Sequence, residues 1–200
     1  MGSSNSIFDE SKSVRIGSGI YGEVKRATYT PKNVRAAIKI IDLDGYFNII
    51  RQNNQQRNNY IDSIKQRISE MKILEGNNYQ NVNFNKYFEE TDLENNKLNF
   101  AMELCNCNLL QYFEDYKINK GLDIGEIYDI LNQLNNTFQI MSSQNIKIIH
   151  GNLKLENILV NFEENKKIFK LTGFEIIPEL VKLQNFINKI IYVNIYLLKF

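Results

Sequence analysis

The chain is predicted to fold as α+β in two lobes: a five-stranded antiparallel small lobe with one helix, then a partial, mainly helical large lobe. Three observations point there. Short β-branched segments broken by glycine crowd the first hundred residues, one amphipathic stripe interrupts them, and helical spacing of apolar residues dominates beyond Cys105. The chain has 200 residues, 43% of them hydrophobic, enough for one domain with a sizeable core or for two small lobes.

Residues 1–12 read as a flexible leader, 13–105 as the small lobe and 106–200 as the large one. "SVRIGSG", "EVKRATYT" and "VRAAIKII", punctuated by glycine and Pro31, suggest three antiparallel strands. The asparagine-dense "RQNNQQRNNY", Arg51 to Tyr60, reads as a solvated loop. After it, Ile61, Ile64, Ile68, Met71 and Leu74 recur at three- and four-residue steps, one face of a helix that runs to Gly76. "NVNFNKYFEE" and "KLNFAMELC" supply two further strands across the polar turn "TDLENN". "NLLQYFEDY" reads as a short helix. Ile124, Ile127, Leu131, Leu134, Phe138 and Met141 mark the core stripe of a longer helix that Asp123 can cap. The lobes are expected to meet near Cys105 to Asn108.

Composition narrows the partners. Lys and Arg number 24 against 23 Asp and Glu, so no global field steers the chain toward nucleic acid or an anionic membrane. Cys105 and Cys107 are the only cysteines, too few for a disulfide framework and half of a structural zinc set, which suits a reducing compartment. No signal peptide and no run of 18 uncharged apolar residues is visible, so a cytosolic location is expected. Gly2 with Ser6 fits the N-myristoylation pattern, although one acyl chain without a polybasic run anchors only marginally, and the same residues suit a plain leader.

Four pieces carry chemistry. "GSGIYGEV" sets Gly17, Gly19 and Gly22 between two strands, which suits a hairpin folded over phosphates or a plain glycine-rich turn better than a strand-to-helix dinucleotide loop. Lys39 sits among apolar residues in "AAIKI", where an ammonium needs a partner, and Glu70 on the following helix is the expected one. "HGNLKLENIL" begins at His150, and "LTGFEI" begins at Leu171.

In that order, from Ile16 to about Glu175, these pieces resemble a eukaryotic protein kinase domain, and Lys154 resembles the serine/threonine branch. The resemblance implies that the glycine loop covers ATP phosphates and that Lys39 pairs with them and with Glu70. It implies that Ile16, Val24, Ala37 and Leu159 enclose an adenine, with Met102, Glu103 and Cys105 as gatekeeper and hinge. Leu74, His150 and Phe174 would stack as an internal spine. Lys154 and Asn157 match the catalytic loop, Asn157 as a magnesium ligand.

The family's two catalytic aspartates and a neighbouring Arg are replaced. Asn152 stands where an Asp accepts the substrate's proton, and Gly173 where an Asp binds magnesium, with Glu175 two places on and Gly151 replacing an Arg. The family's later motifs are not recognisable in the stretch that ends "FINKIIYVNIYLLKF". The expectation is a pseudokinase that binds ATP, with magnesium doubtful, and acts through a protein partner. An active serine/threonine kinase with displaced ligands and a truncated, non-functional product are the alternatives.

Overall fold

The computed structural model describes residues 8–19, 22–44, 54–76, 85, 87–94, 97–116, 121–142 and 149–174. They belong to two compact units, Met1–Lys65 with Asn85–Cys105, and Gln66–Phe84 with Asn106–Phe200.

In the first unit, β1 (Val14–Gly19), β2 (Gly22–Tyr29), β3 (Val34–Asp42), β4 (Tyr87–Glu94) and β5 (Lys97–Glu103) form one antiparallel sheet in the order β1-β2-β3-β5-β4. Because side chains alternate along a strand, Ala27, Tyr29, Ala36, Ile38, Ile40 and Ala101 share one face, and Phe8 closes it. Phe8 also makes a β-bridge to Tyr29. Asp9 accepts from the Ser11 amide at 3.0 Å and caps a short 3-10 turn, Glu10–Lys12, and Glu10 receives the Lys25 ammonium at 2.9 Å. Residues 8–12, read from sequence as leader, are therefore structured: the outer sheet face is apolar and Phe8 buries itself against it. The fourth strand also runs further than the sequence suggested, through "TDLE", because Thr91 and Glu94 pair with Asn99 and Lys97. Of its predicted opening, residues 81–84 and 86 lie outside the described residues.

Helix α1 (Asn54–Gly76) starts inside the segment taken for a solvated loop. Helix formation is cooperative. Once the turns around the buried Ile61 and Ile64 are nucleated, each residue added upstream gains a hydrogen bond, and Gln55, Gln56 and Arg57 are good helix formers. Ile68 continues the buried face, as its spacing predicted.

The second unit contains α2 (Leu109–Tyr116), α3 (Ile124–Met141) and a three-stranded sheet, β6 (Cys107–Asn108), β7 (Ile158–Glu163) and β8 (Lys166–Leu171), in the order β6-β7-β8. That sheet is absent from the sequence reading of a mainly helical lobe. It shows as alternation: Ile158 and Val160 on β7, Phe169 and Leu171 on β8, all point into a core with Leu109, Tyr112, Leu134 and Phe174.

Asp123 caps α3 through a reciprocal capping box with Glu126. The buried face of α3 is turned from the predicted stripe, however. Ile130, Leu134, Thr137 and Met141 are buried, whereas Ile124 is 74% and Leu131 60% exposed. Gln133 explains the rotation. Its carboxamide donates to the Lys167 carbonyl at 2.8 Å and accepts from the Phe169 amide at 3.0 Å, taking the place of a neighbouring strand along β8.

Candidate functional site

The glycine segment is a hairpin. β1 and β2 pair antiparallel with Gly19 opposite Gly22, and no helix follows Gly22, which sets aside the dinucleotide-type turn. Gly22 adopts φ +149, and a Cβ there would collide with the Ile40 carbonyl oxygen of the adjacent strand, so only glycine lets β2 pass so close.

Register decides which predicted residues share a surface. Val24 lies opposite Gly17 on one side and Lys39 on the other, Lys39 opposite Phe100, and Ala37 opposite Met102. Directly paired residues point the same way, so Gly17, Gly22, Val24, Ala37, Lys39 and Met102 line the face opposite the Phe8 cluster. Lys39 is half-buried and Met102 buried, whereas Ile16 falls at the irregularity between Arg15 and Gly17 and is exposed. Glu103, opposite Ala36, belongs to the other face. The Cys105 thiol lies beyond the strand, 3.7 Å from the Asn85 carboxamide oxygen.

Glu70 is half-buried on α1 and accepts from Gln66 at 2.9 Å. Lys39 belongs to the first unit and Glu70 to the second. The side chain of Leu74 lies outside the described residues, as does Glu175.

In the second unit the segment 149–157 is held by a continuous set of hydrogen bonds. The His150 ring donates from Nε2 to the Thr172 carbonyl at 2.9 Å and accepts at Nδ1 from the Asn152 amide at 3.2 Å. Those two partners assign a neutral imidazole protonated at Nε2. The same ring packs against Phe174 at 4.3 Å between centroids, and both residues are buried. Asn157 donates from Nδ2 to the Asn152 carbonyl at 2.7 Å, while its own carbonyl accepts from the Thr172 amide at 3.0 Å. Lys154 is partly exposed and faces Glu156 at 3.7 Å. Leu159, on β7, is half-buried and paired with Asn108 and Lys170.

Arg67 completes the set, and sequence reasoning missed it. Its guanidinium donates to the carbonyls of Ile149 and, at 3.3 Å, His150. Nothing local marks an arginine whose partners are 82 and 83 residues away.

The two departures have definite surroundings. Asn152 is 2% exposed, and its backbone, through both N–H and C=O, is engaged by His150 and Asn157. Gly173 has φ +90 and is buried, and a Cβ built on it would stand 2.7 Å from Cγ and Nδ2 of Asn157. Among the described residues no three His, Cys, Asp or Glu converge to hold a metal ion. Neither cysteine forms a disulfide, and burial first, then the charge of Asp115, pushes the Cys107 thiol above its usual range, away from a ready thiolate.

The chain belongs to the protein kinase family: the model of the protein kinase domain matches residues 11–196. It is similar to the serine/threonine-protein kinase fray1 of Dictyostelium discoideum, with 28% identity over 145 residues. That similarity covers 72% of the chain and 22% of the relative, so the chain spans about a fifth of the relative's length. Among the described residues no helix is long and apolar enough to cross a membrane.

Proposed function

We propose that the chain is a nucleotide-binding, kinase-like domain that does not transfer phosphate and acts by binding a protein partner. The observation that carries the first half is the shared sheet face on which Gly17, Gly22, Val24, Ala37, Lys39 and Met102 come together. Small residues let backbone amides approach phosphate oxygens, Ala37 and Val24 offer an apolar surface to a base, and the half-buried Lys39 supplies a positive charge. Bound ATP would supply the phosphate charge that this ammonium meets.

The second half rests on Asn152. A carboxamide orients a hydroxyl but takes no proton at neutral pH, and a positioned general base is worth about a hundred- to ten-thousand-fold in rate. The magnesium side fails the chemistry of the donor set. Asn157 offers one neutral oxygen and Gly173 none, whereas magnesium is ordinarily held through one or two carboxylates together with substrate phosphates. No phosphoryl-transfer step is therefore built on it.

An active serine/threonine kinase is the second reading, favoured by the similarity to a protein of that name and by the retained Lys154 and Asn157. Two measurements separate them. A thermal-shift titration with ATP should raise the melting temperature, since ligand at about 100 times its Kd adds about 2.7 kcal/mol, roughly 5 to 10 °C for a chain of this size. A radiolabelled ATP assay on generic serine and threonine substrates should stay at background. Transfer that exceeds background and disappears in Lys39→Met would establish the second reading instead.

A further inference from the structure

We infer that nucleotide is taken up without a divalent cation, as the free polyphosphate anion, because the place of the magnesium carboxylate is filled by Asn157. This rests on the nucleotide-binding reading above, but its geometric basis is independent of it. Asn157 is buried and its carboxamide is committed: Nδ2 holds the Asn152 carbonyl at 2.7 Å. The same carboxamide lies 2.7 to 3.0 Å from where a Cβ would project at Gly173, at a backbone φ of +90 that side-chain-bearing residues rarely adopt. Room for a carboxylate at 173 appears only if Asn157 swings away and leaves the buried Asn152 carbonyl without that donor.

Among the described residues the remaining donors do not replace it. Glu156, the carboxylate within the loop, is exposed and turned to Lys154 at 3.7 Å. One neutral amide oxygen neither offsets a divalent charge nor meets magnesium's demand for near-octahedral oxygen donors, and magnesium gives up water reluctantly. Lys154, the ammonium within the loop, is attracted more strongly to the fully charged polyphosphate than to its magnesium complex. Magnesium then lowers the charge that this ammonium meets and, among the described residues, receives no protein carboxylate in return.

The test is calorimetric titration of the purified chain with ATP, once in EDTA and once in excess magnesium, beside a Mn2+ titration without nucleotide read by electron paramagnetic resonance. The expected affinities in EDTA and magnesium agree within about threefold or favour EDTA, and no Mn2+ site tighter than about 1 mM is found. Affinity about tenfold tighter in magnesium, or a micromolar Mn2+ site, overturns the inference while leaving nucleotide binding intact. ATP binding in neither buffer overturns the nucleotide reading, and the Mn2+ titration then decides the cation question alone. Gly173→Asp should gain no Mn2+ site, and it should lower the melting temperature about as much as Gly173→Ala, since the obstacle is the Cβ. Mn2+ binding gained by Gly173→Asp would show that Asn157 does not fill the place.

Discussion

An amide and a carboxylate have nearly the same shape, yet at position 152 the difference decides whether the side chain can accept a proton. Restoring Asn152→Asp is expected to leave phosphate transfer at background in a radiolabelled ATP assay. The base it returns is worth about 3 to 5 kcal/mol of barrier, and the phosphate charge would still lack its metal. Transfer by this single variant would sink the pseudokinase reading. At the chain's start, Glu10 and Lys25 make a pH-dependent contact. The hydrogen bond from Lys25, then its charge, holds the Glu10 carboxyl below its usual 4.5. That stabilisation is complete above the unfolded value and is lost as pH falls through the lower folded value. The hydrogen bond with Glu10 first, against burial and helped by that with Glu23, raises Lys25 above 10.5. Its contribution is complete below 10.5 and lost as pH rises past the folded value. Glu10 is 70% exposed, so the stabilities of wild type and Glu10→Gln from urea titration should differ by under about 1 kcal/mol near pH 7 and converge as pH falls through the folded value of Glu10.

Among the elements, α3 and β8 are joined by one side chain that behaves like a strand. Gln133→Ala removes both hydrogen bonds and leaves the Lys167 carbonyl and Phe169 amide unsatisfied, an expected loss of about 1 to 3 kcal/mol in a denaturant titration. Gln133→Glu should also destabilise, because a carboxylate cannot donate to the Lys167 carbonyl. A loss below about 0.3 kcal/mol in either variant would mean that the edge of β8 is held without these two hydrogen bonds. Helix α1 has a comparable attachment in Arg67, whose guanidinium grips the chain entering the loop at Ile149 and His150. In Arg67→Ala the amides from 149 to 152 should exchange with deuterium at least about tenfold faster, with those of β7 and β8 unchanged. Equal acceleration of β7 and β8 would make Arg67 a general stabiliser of the unit.

At the scale of the whole molecule, membership of the protein kinase family and the nucleotide proposal meet in Lys39. Lys39→Met keeps the apolar stem and removes the charge, so the melting temperature without ligand should change little while the ATP-induced shift is lost. An undiminished shift would place nucleotide elsewhere on the chain. Partner binding, by contrast, needs no catalytic group, so the proposed reading is compatible with Asn152 and Gly173.

Local rules were enough to make several elements and the ordered motif set legible in the sequence alone. Short β-branched segments punctuated by glycine and Pro31 marked the first three strands, the Ile61, Ile64 and Ile68 spacing marked α1, and the capping chemistry of Asp123 marked the start of α3. The chemical departures at Asn152 and Gly173 were legible too, because they are matters of residue identity. Tertiary structure decided what depends on neighbours remote in the chain. Asparagine-rich residues became helix because they extend a nucleus packed through Ile61 and Ile64, and Phe8 became core because an apolar sheet face lay within reach. Ile124 and Leu131 were left outside because Gln133 bonds to β8 and turns its helix that way. The crowding of Gly173 by Asn157 and the grip of Arg67 on His150 belong to the same class: spacing along a chain carries the period of an element, but not which of its faces a partner formed elsewhere will cover.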